Sequence, residues 1–221
     1  MMTPEEISFW IAMAGTVAFS ISAVLSVAER KVDLFSAVVL GIITSVGGGT
    51  IRDITLNVPV FWASELSYIW VSISASIATF FAYRFFAQKT IREFFLYIDG
   101  LAVAMFGIQA TLKVWHLDFG LPVAPVILGV VTAIGGGLIR DMLIGRPTLL
   151  MSRELYAVPV LIGCTLYTLV LAYAPEYHFL GSLVCLVIIF GIRAAAIRWG
   201  LEVPEWATLG YKIMMNKRKS N

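Results

Sequence analysis

Residues 41–53 read GIITSVGGGTIRD, and residues 129–141 read GVVTAIGGGLIRD. Gly41, Thr44, Gly47, Gly48, Gly49, Ile51, Arg52 and Asp53 recur 88 positions later as Gly129, Thr132, Gly135, Gly136, Gly137, Ile139, Arg140 and Asp141. Pro59 and Pro147 keep the same offset, and Glu65 and Glu154 match after one inserted residue. Agreement over such a stretch is not accidental. The chain holds two copies of one unit, and each copy has its glycine triplet inside an apolar run.

Outward from the triplets, the sequence is a succession of apolar stretches. Hydrophobic residues make up 59% of the 221 positions, charged residues 14%, and the mean hydropathy is +0.88. Soluble domains carry roughly 25% charged residues, so lipid must solvate much of this surface, and no large soluble domain fits beside it. A bilayer core needs about 20 apolar residues per helix. Seven stretches qualify: 7–28, 34–57, 66–87, 94–112, 121–144, 155–174 and 179–199. The first is too long, and its flank too acidic, for a typical signal peptide, and it reads as a retained helix. Short polar connections separate the stretches, and Trp10, Trp62, Trp70, Trp115, Tyr173, Tyr177 and Trp199 cluster near their ends, as interfacial aromatics do.

With seven spans, Arg52 and Lys113 fall toward the N-terminal side and the other 14 of the 16 basic residues toward the opposite side. The positive-inside rule then places the N-terminus outside and the C-terminus in the cytoplasm. The fold expected is an all-α membrane protein of seven transmembrane helices. Three spans separate the motif copies, so the second copy runs through the membrane in reverse. That gives two inverted three-helix repeats, about 7–87 and 94–174, an extra helix at 179–199, and a cytoplasmic tail at 200–221. The tail's Lys217, Arg218 and Lys219 are fewer than the cluster of 4–8 basic residues that reads as an anionic-lipid contact.

Each glycine costs a helix about 0.8–1.0 kcal/mol relative to alanine, so two triplets need a reason. Close helix packing is one. A kink or unwound turn that frees backbone carbonyls is the other, allowed at membrane depth only where the carbonyls face protein or water. On that second account Gly47, Gly48, Gly49, Gly135, Gly136 and Gly137 line a polar path. The carbonyls of Gly47, Gly48, Gly135 and Gly136 would meet a transient cation, and Thr44, Ser45 and Thr132 would add hydroxyl oxygens one turn earlier. Arg52, Asp53, Arg140 and Asp141 follow the glycines within about a turn, and ionisable residues inside an apolar span are functional candidates or local ion pairs. Asp99 opens the fourth span on the side where the fifth ends, within reach of Arg140. Ala14 occupies about the matching place in the first copy, which leaves Arg52 to pair with Asp53 or face the path.

Other chemistry finds no footing. The triplets fit neither a dinucleotide-binding fingerprint nor a P-loop, His116 and His178 lack metal-ligand spacing, and Cys164 and Cys185 sit in apolar runs as small hydrophobes. No catalytic arrangement can be built, so an enzyme is not expected.

The doubled Gly-Gly-Gly-x-Ile-Arg-Asp motif in a seven-span layout resembles the prokaryotic trimeric intracellular cation (TRIC) channel family, also labelled a glycine transporter domain family. The resemblance runs over roughly residues 7 to 200. It implies a homotrimer in the inner (plasma) membrane with one pore per protomer, framed by the second and fifth spans bent at their glycines. It further implies conduction of monovalent cations, chiefly K⁺, with K⁺ against Na⁺ left open. No resident cofactor and no nucleic acid are implied; membrane lipid surrounds the chain, and bound lipid is left open. Animal members carry a basic motif in the second span and bind phosphoinositide; the Arg52-Asp53 form here does not carry that over. A secondary transporter for glycine or a similar small amino acid is the alternative, because inverted repeats with broken helices also build transporters.

Overall fold

A computed structural model describes residues 4–83, 88–151 and 155–203. Every element named among them is helical: α1 (Pro4–Ser26), α2 (Leu34–Thr55), α3 (Phe61–Ser64), α4 (Ser67–Ala82), α5 (Gln88–His116), α6 (Val123–Leu143), α7 (Ala157–Tyr173) and α8 (His178–Trp199), with single 3-10 turns at Leu149–Met151 and Pro175–Tyr177. Arg84, Arg153, Glu154 and the basic tail Lys212 to Lys219 lie outside the described residues, as do the side chains of Lys89 and Arg92.

Five helices are long and apolar enough to cross a membrane: α1, α2, α5, α6 and α8. The other two long helices, α4 and α7, are apolar but have 16 and 17 residues. The four-residue α3 was not anticipated from the sequence. It lies between Pro59 and Glu65, a stretch read there as loop.

Helix α5 occupies the centre. It packs on α1, α6, α7 and α8, while α2 packs on α1, α4 and α6. Small residues allow these approaches. Ala102, Ala104 and Ala110 on α5 are fully buried, as is Ala133 on α6. The main core joins Ala18 and Phe19 of α1 to Val103, Phe106 and Ile108 of α5 and to Val160, Cys164, Tyr167 and Ile189 beyond. The Phe19 and Phe106 rings stand 5.4 Å apart. On the outside, Leu180, Leu183, Val184 and Val187 of α8, Leu161 and Leu169 of α7 and Trp70 of α4 are exposed. An apolar surface this extensive suits hydrocarbon rather than water.

The ends of α2 and α6 are built alike. Asn57 and Gly145, 88 residues apart, take left-handed φ values of 54° and 62°. The amides of Asn57 and Gly145 donate to Ile54 O and Met142 O, and those of Val58 and Arg146 donate to Asp53 O and Asp141 O. This double bond is the Schellman closure, which occupies carbonyls that a helix end leaves free. Glycine reaches that φ without a Cβ penalty, and asparagine tolerates it.

Candidate functional site

Both glycine triplets lie inside unbroken helix, which corrects the expectation of a broken or unwound turn. The reason is packing. Gly48 of α2 faces the main chain of α6: a Cβ placed there would lie 2.1 Å from Thr132 O and 3.3 Å from Gly136 N. Gly136 returns the contact, since its Cβ would lie 2.0 Å from Thr44 O. Each helix presents a glycine where the other presents a threonine carbonyl, so the absent side chains permit interhelical approach instead of interrupting the helix. The Gly47, Gly48, Gly135 and Gly136 carbonyls therefore belong to continuous helix in this arrangement.

Gly49 faces the ring of Phe61, and Gly137 faces Tyr156 Oη. Gly47 and Gly135 have looser surroundings, set by Ile139 Cδ1 and by the Gly48 main chain. The neighbouring hydroxyls turn back on their own helices. Thr44 Oγ1 donates to Leu40 O at 2.7 Å and Thr132 Oγ1 to Leu128 O at 2.6 Å. Ser45 Oγ donates to Ile42 O and also meets Ser72 Oγ of α4 at 3.1 Å, which in turn receives Ser20 of α1. That chain of hydroxyls ties α1, α2 and α4 together inside apolar surroundings.

One turn past the glycines, the Arg-Asp pairs repeat their geometry as well as their sequence. Arg52 Nε meets Asp53 Oδ1 at 2.8 Å, and Arg140 Nε meets Asp141 Oδ1 at 2.9 Å. The second oxygen of each carboxylate accepts a main-chain amide eight residues on, Phe61 N at 2.9 Å and Leu149 N at 3.3 Å. Each aspartate thus anchors the arginine before it and the segment after its helix.

The two clusters differ in their third charge. At the α2 end, Lys113 Nζ of α5 joins Asp53 Oδ1 at 2.8 Å. Two cations share one carboxylate, a formal surplus of +1. At the α6 end, Arg140 Nη1 donates to Asp99 Oδ1 and to Ser22 Oγ of α1. One cation shares two carboxylates, and the buried Arg193 guanidinium stands 5.0 Å from the ring of Tyr156 beside them. Arg140 and Asp99 are both fully buried, Arg52 nearly so. The Asp99–Arg140 pair read from the sequence is present, and Arg52 takes the Asp53 option. Neither arginine stands as a bare charge.

Lys113, Ser22, Phe61 and Phe95 are the members that sequence reading missed. Lys113 lies 60 residues from Asp53, and nothing local marks the pairing. Ser22 had a signal: Thr16, Ser20, Ser22 and Ser26 recur within an otherwise apolar helix, and such hydroxyls in a membrane helix usually bond across to a neighbour. Aromatic faces complete both clusters. The Arg52 guanidinium lies 5.6 Å from the Phe61 ring and that of Arg140 4.8 Å from Phe95.

A cavity opens at each end of the bundle. One, of about 630 Å³, is lined by Val58, Gln109, Lys113, His116, Tyr167 and His178, so the two histidines that lack metal-ligand spacing in sequence share one space. The other, of about 340 Å³, lies at the opposite end of α5, among Ser26, Glu29, Arg30, Phe95 and Arg146. Cys164 and Cys185 are buried free thiols. Among the described residues no group of three His, Cys, Asp or Glu side chains is placed to hold a metal ion.

Long apolar helices, buried ion pairs and a glycine-on-carbonyl helix crossing define a polytopic helical membrane protein. Its sequence matches the family described as "Glycine transporter" over residues 9–84 and 96–172. It is 33% identical over 207 residues to the UPF0126 inner membrane protein YadS of Escherichia coli strain K12, covering 90% of this chain and 96% of that one. The TRIC trimeric intracellular cation channel orthologue from Rhodobacter sphaeroides superposes with a TM-score of 0.82 at 30% identity, covering 88% of this chain and 99% of that chain. A prokaryotic TRIC channel crystallised in 0.5 M KCl gives a TM-score of 0.83 at 26% identity, with 90% and 100% covered. The chain belongs to this prokaryotic TRIC family, the one that carries the glycine transporter description.

Proposed function

We propose that the protein is a channel for monovalent cations, chiefly K⁺, of the inner membrane, assembled as a homotrimer with one route through each protomer. The route runs along the α2–α6 crossing, between the cavities at the two ends of the bundle. The observation that carries this reading is the reciprocal contact of Gly48 with Thr132 O and of Gly136 with Thr44 O, with a charge cluster at either end of it. The contact closes the route as it stands. Opening requires α2 and α6 to part or bend at their triplets. Parting would turn the Thr44, Ser45 and Thr132 oxygens, and the carbonyls of Gly47, Gly48, Gly135 and Gly136, toward a passing ion as weak multi-site ligands.

The paired arginines fit cation conduction. A lone guanidinium beside the route would repel K⁺, whereas Arg52 and Arg140 are each paired with a carboxylate, with Lys113 leaving a formal surplus of +1 at the α2 end only. The equivalent contacts at an 88-residue offset support two inverted three-helix repeats, α1–α4 and α5–α7, with α8 added and all seven long helices crossing the bilayer. The Rhodobacter relative is described as a trimeric cation channel, and the same assembly is proposed here, with the N-terminus outside.

The test is current through purified protein in planar bilayers under a KCl gradient. Ohmic unitary currents that reverse near the K⁺ equilibrium potential and ignore added glycine are expected. Electrically silent protein that takes up glycine saturably into liposomes would replace the channel by a transporter, the function its family description names.

A further inference from the structure

Phe95 touches both a cavity and a buried polar cluster. The cavity, of about 340 Å³, has Ser26, Glu29, Arg30 and Arg146 on its walls. The cluster is that of Ser22, Asp99, Arg140 and Tyr156, none of them more than 2% exposed. The ring is itself buried, and two guanidiniums lie over it, Arg140 of the cluster at 4.8 Å and Arg146 of the cavity wall at 5.5 Å. Two arginines thus hold one aromatic side chain in place.

The cluster behind the ring has more hydrogen-bonding capacity than it uses. Asp99 Oδ2, Arg140 Nη2 and Tyr156 Oη are buried and make no hydrogen bond of ordinary geometry among the described residues, the Tyr156 hydroxyl lying near the Asp99 carboxylate. Tyr156 Oη and Arg140 Nη2 both lie within 3.5 Å of the same point, the place a Cβ on Gly137 would occupy. Buried polar groups find partners, with ordered water supplying them where protein does not. Here an acceptor, a donor and a hydroxyl converge from α5, α6 and the segment before α7, the mixed lining that water requires.

We propose that Ser22, Asp99, Arg140 and Tyr156 form a water-binding chamber, and that Phe95 is the gate between this chamber and the Arg146-lined vestibule. The chamber stands on these contacts alone; the gating role rests on the channel reading above. When the ring swings out, the vestibule joins the chamber, and a hydrated monovalent cation meets the Asp99 and Asp141 carboxylates. When the ring returns, Arg140 and Arg146 recapture it.

The experiment places Ser22→Cys in the full-length chain, with and without Phe95→Ala, and measures its reaction with a small cationic methanethiosulfonate reagent. Phe95→Ala alone sets the background from Cys164 and Cys185. Labelling of the introduced thiol is expected to be slow behind the native ring and about tenfold faster without it, a change of about 1.4 kcal/mol, within reach of two ring–guanidinium contacts. An unchanged rate would overturn the gate. Unitary currents are recorded in parallel from Phe95→Ala and from Phe95→Leu, which keeps an apolar side chain but no ring face. Both should raise the open probability, and equality with the native chain in both would overturn the gate even if Ser22→Cys failed to fold. Faster labelling in a protein that carries no current would retain the chamber and remove the channel reading. Native current with unchanged labelling would remove the gate and leave the channel reading standing.

Discussion

Gly48 and Gly136 lie against each other, each beneath a threonine carbonyl of the opposite helix. A methyl group at either position would stand about 2 Å from an oxygen that belongs to a helix backbone and cannot swing aside. Gly48→Ala and Gly136→Ala should each therefore destabilise the protein, by about 1–3 kcal/mol as overpacked sites do. Gly47→Ala should behave differently. Its nearest neighbour is Ile139 Cδ1 at 2.9 Å, the far end of a flexible side chain, and alanine improves helix propensity by about 0.8–1.0 kcal/mol. Melting temperatures in detergent check the ranking: Gly47→Ala equal to or above the native protein, the other two well below. Equal losses at all three positions would mean that the crossing does not depend on Gly48 and Gly136.

That contrast marks where sequence reading succeeds and where it overreaches. The doubled motif, the long helices and the Asp99–Arg140 pair were legible, because an apolar span fixes length and a charge inside it must find a partner. The helix break was not there. Of the two reasons open for the triplets, close packing is the one seen: at Gly48 and Gly136 the missing side chain admits the neighbouring backbone, a tertiary gain that propensity does not contain. The Lys113–Asp53 pair was illegible for a related reason: it exists only once α5 is packed beside α2, and no spacing records that. The turns at Asn57 and Gly145 were in view at the 88-residue offset, yet a left-handed asparagine carries less signal than a left-handed glycine.

Asp53 holds Arg52, Lys113 and the Phe61 amide at once. Asp53→Asn keeps the shape but leaves a buried guanidinium without its counter-charge, a loss of about 3 kcal/mol or more for a broken buried pair. Lys113 is one-third exposed, so Lys113→Met removes a partly solvated charge at a cost of under about 1 kcal/mol. Thermal melts of the two variants should fall in that order. A Lys113→Met loss equal to that of Asp53→Asn would show that Lys113, rather than Arg52, is the partner that matters.

Asp33 caps α2 by accepting the Ser36 amide at 2.9 Å and the Ser36 hydroxyl at 2.8 Å. The Ser36 amide, and after it the hydroxyl, hold the Asp33 carboxyl below its usual value. A carboxyl lowered in the folded state adds stability above its unfolded pKa and loses it as the pH falls through the folded value. The melting-temperature gap between the native protein and Asp33→Ala should therefore be widest near neutral pH and narrow toward about pH 3, below the ordinary Asp value. A gap that stays constant across that range would mean that the carboxylate charge plays no part in the cap.

Arg140 and Asp99 are both fully buried, and the guanidinium also serves Asp141. Removing Arg140 strands carboxylates in a low-dielectric interior and should cost on the order of 3–5 kcal/mol, and removing Asp99 should cost less. Arg140→Gln should be the worse of the two, because it leaves two carboxylates unneutralised where Asp99→Asn leaves a guanidinium that keeps Asp141. The double variant strands less than Arg140→Gln alone, since only Asp141 then lacks its cation. Its loss should fall clearly below the sum of the two singles, the signature of direct coupling in a double-mutant cycle. Losses that simply add would mean that Asp99 and Arg140 act independently. The charge balance drawn at the α6 end would then have to be rebuilt around Asp141 alone.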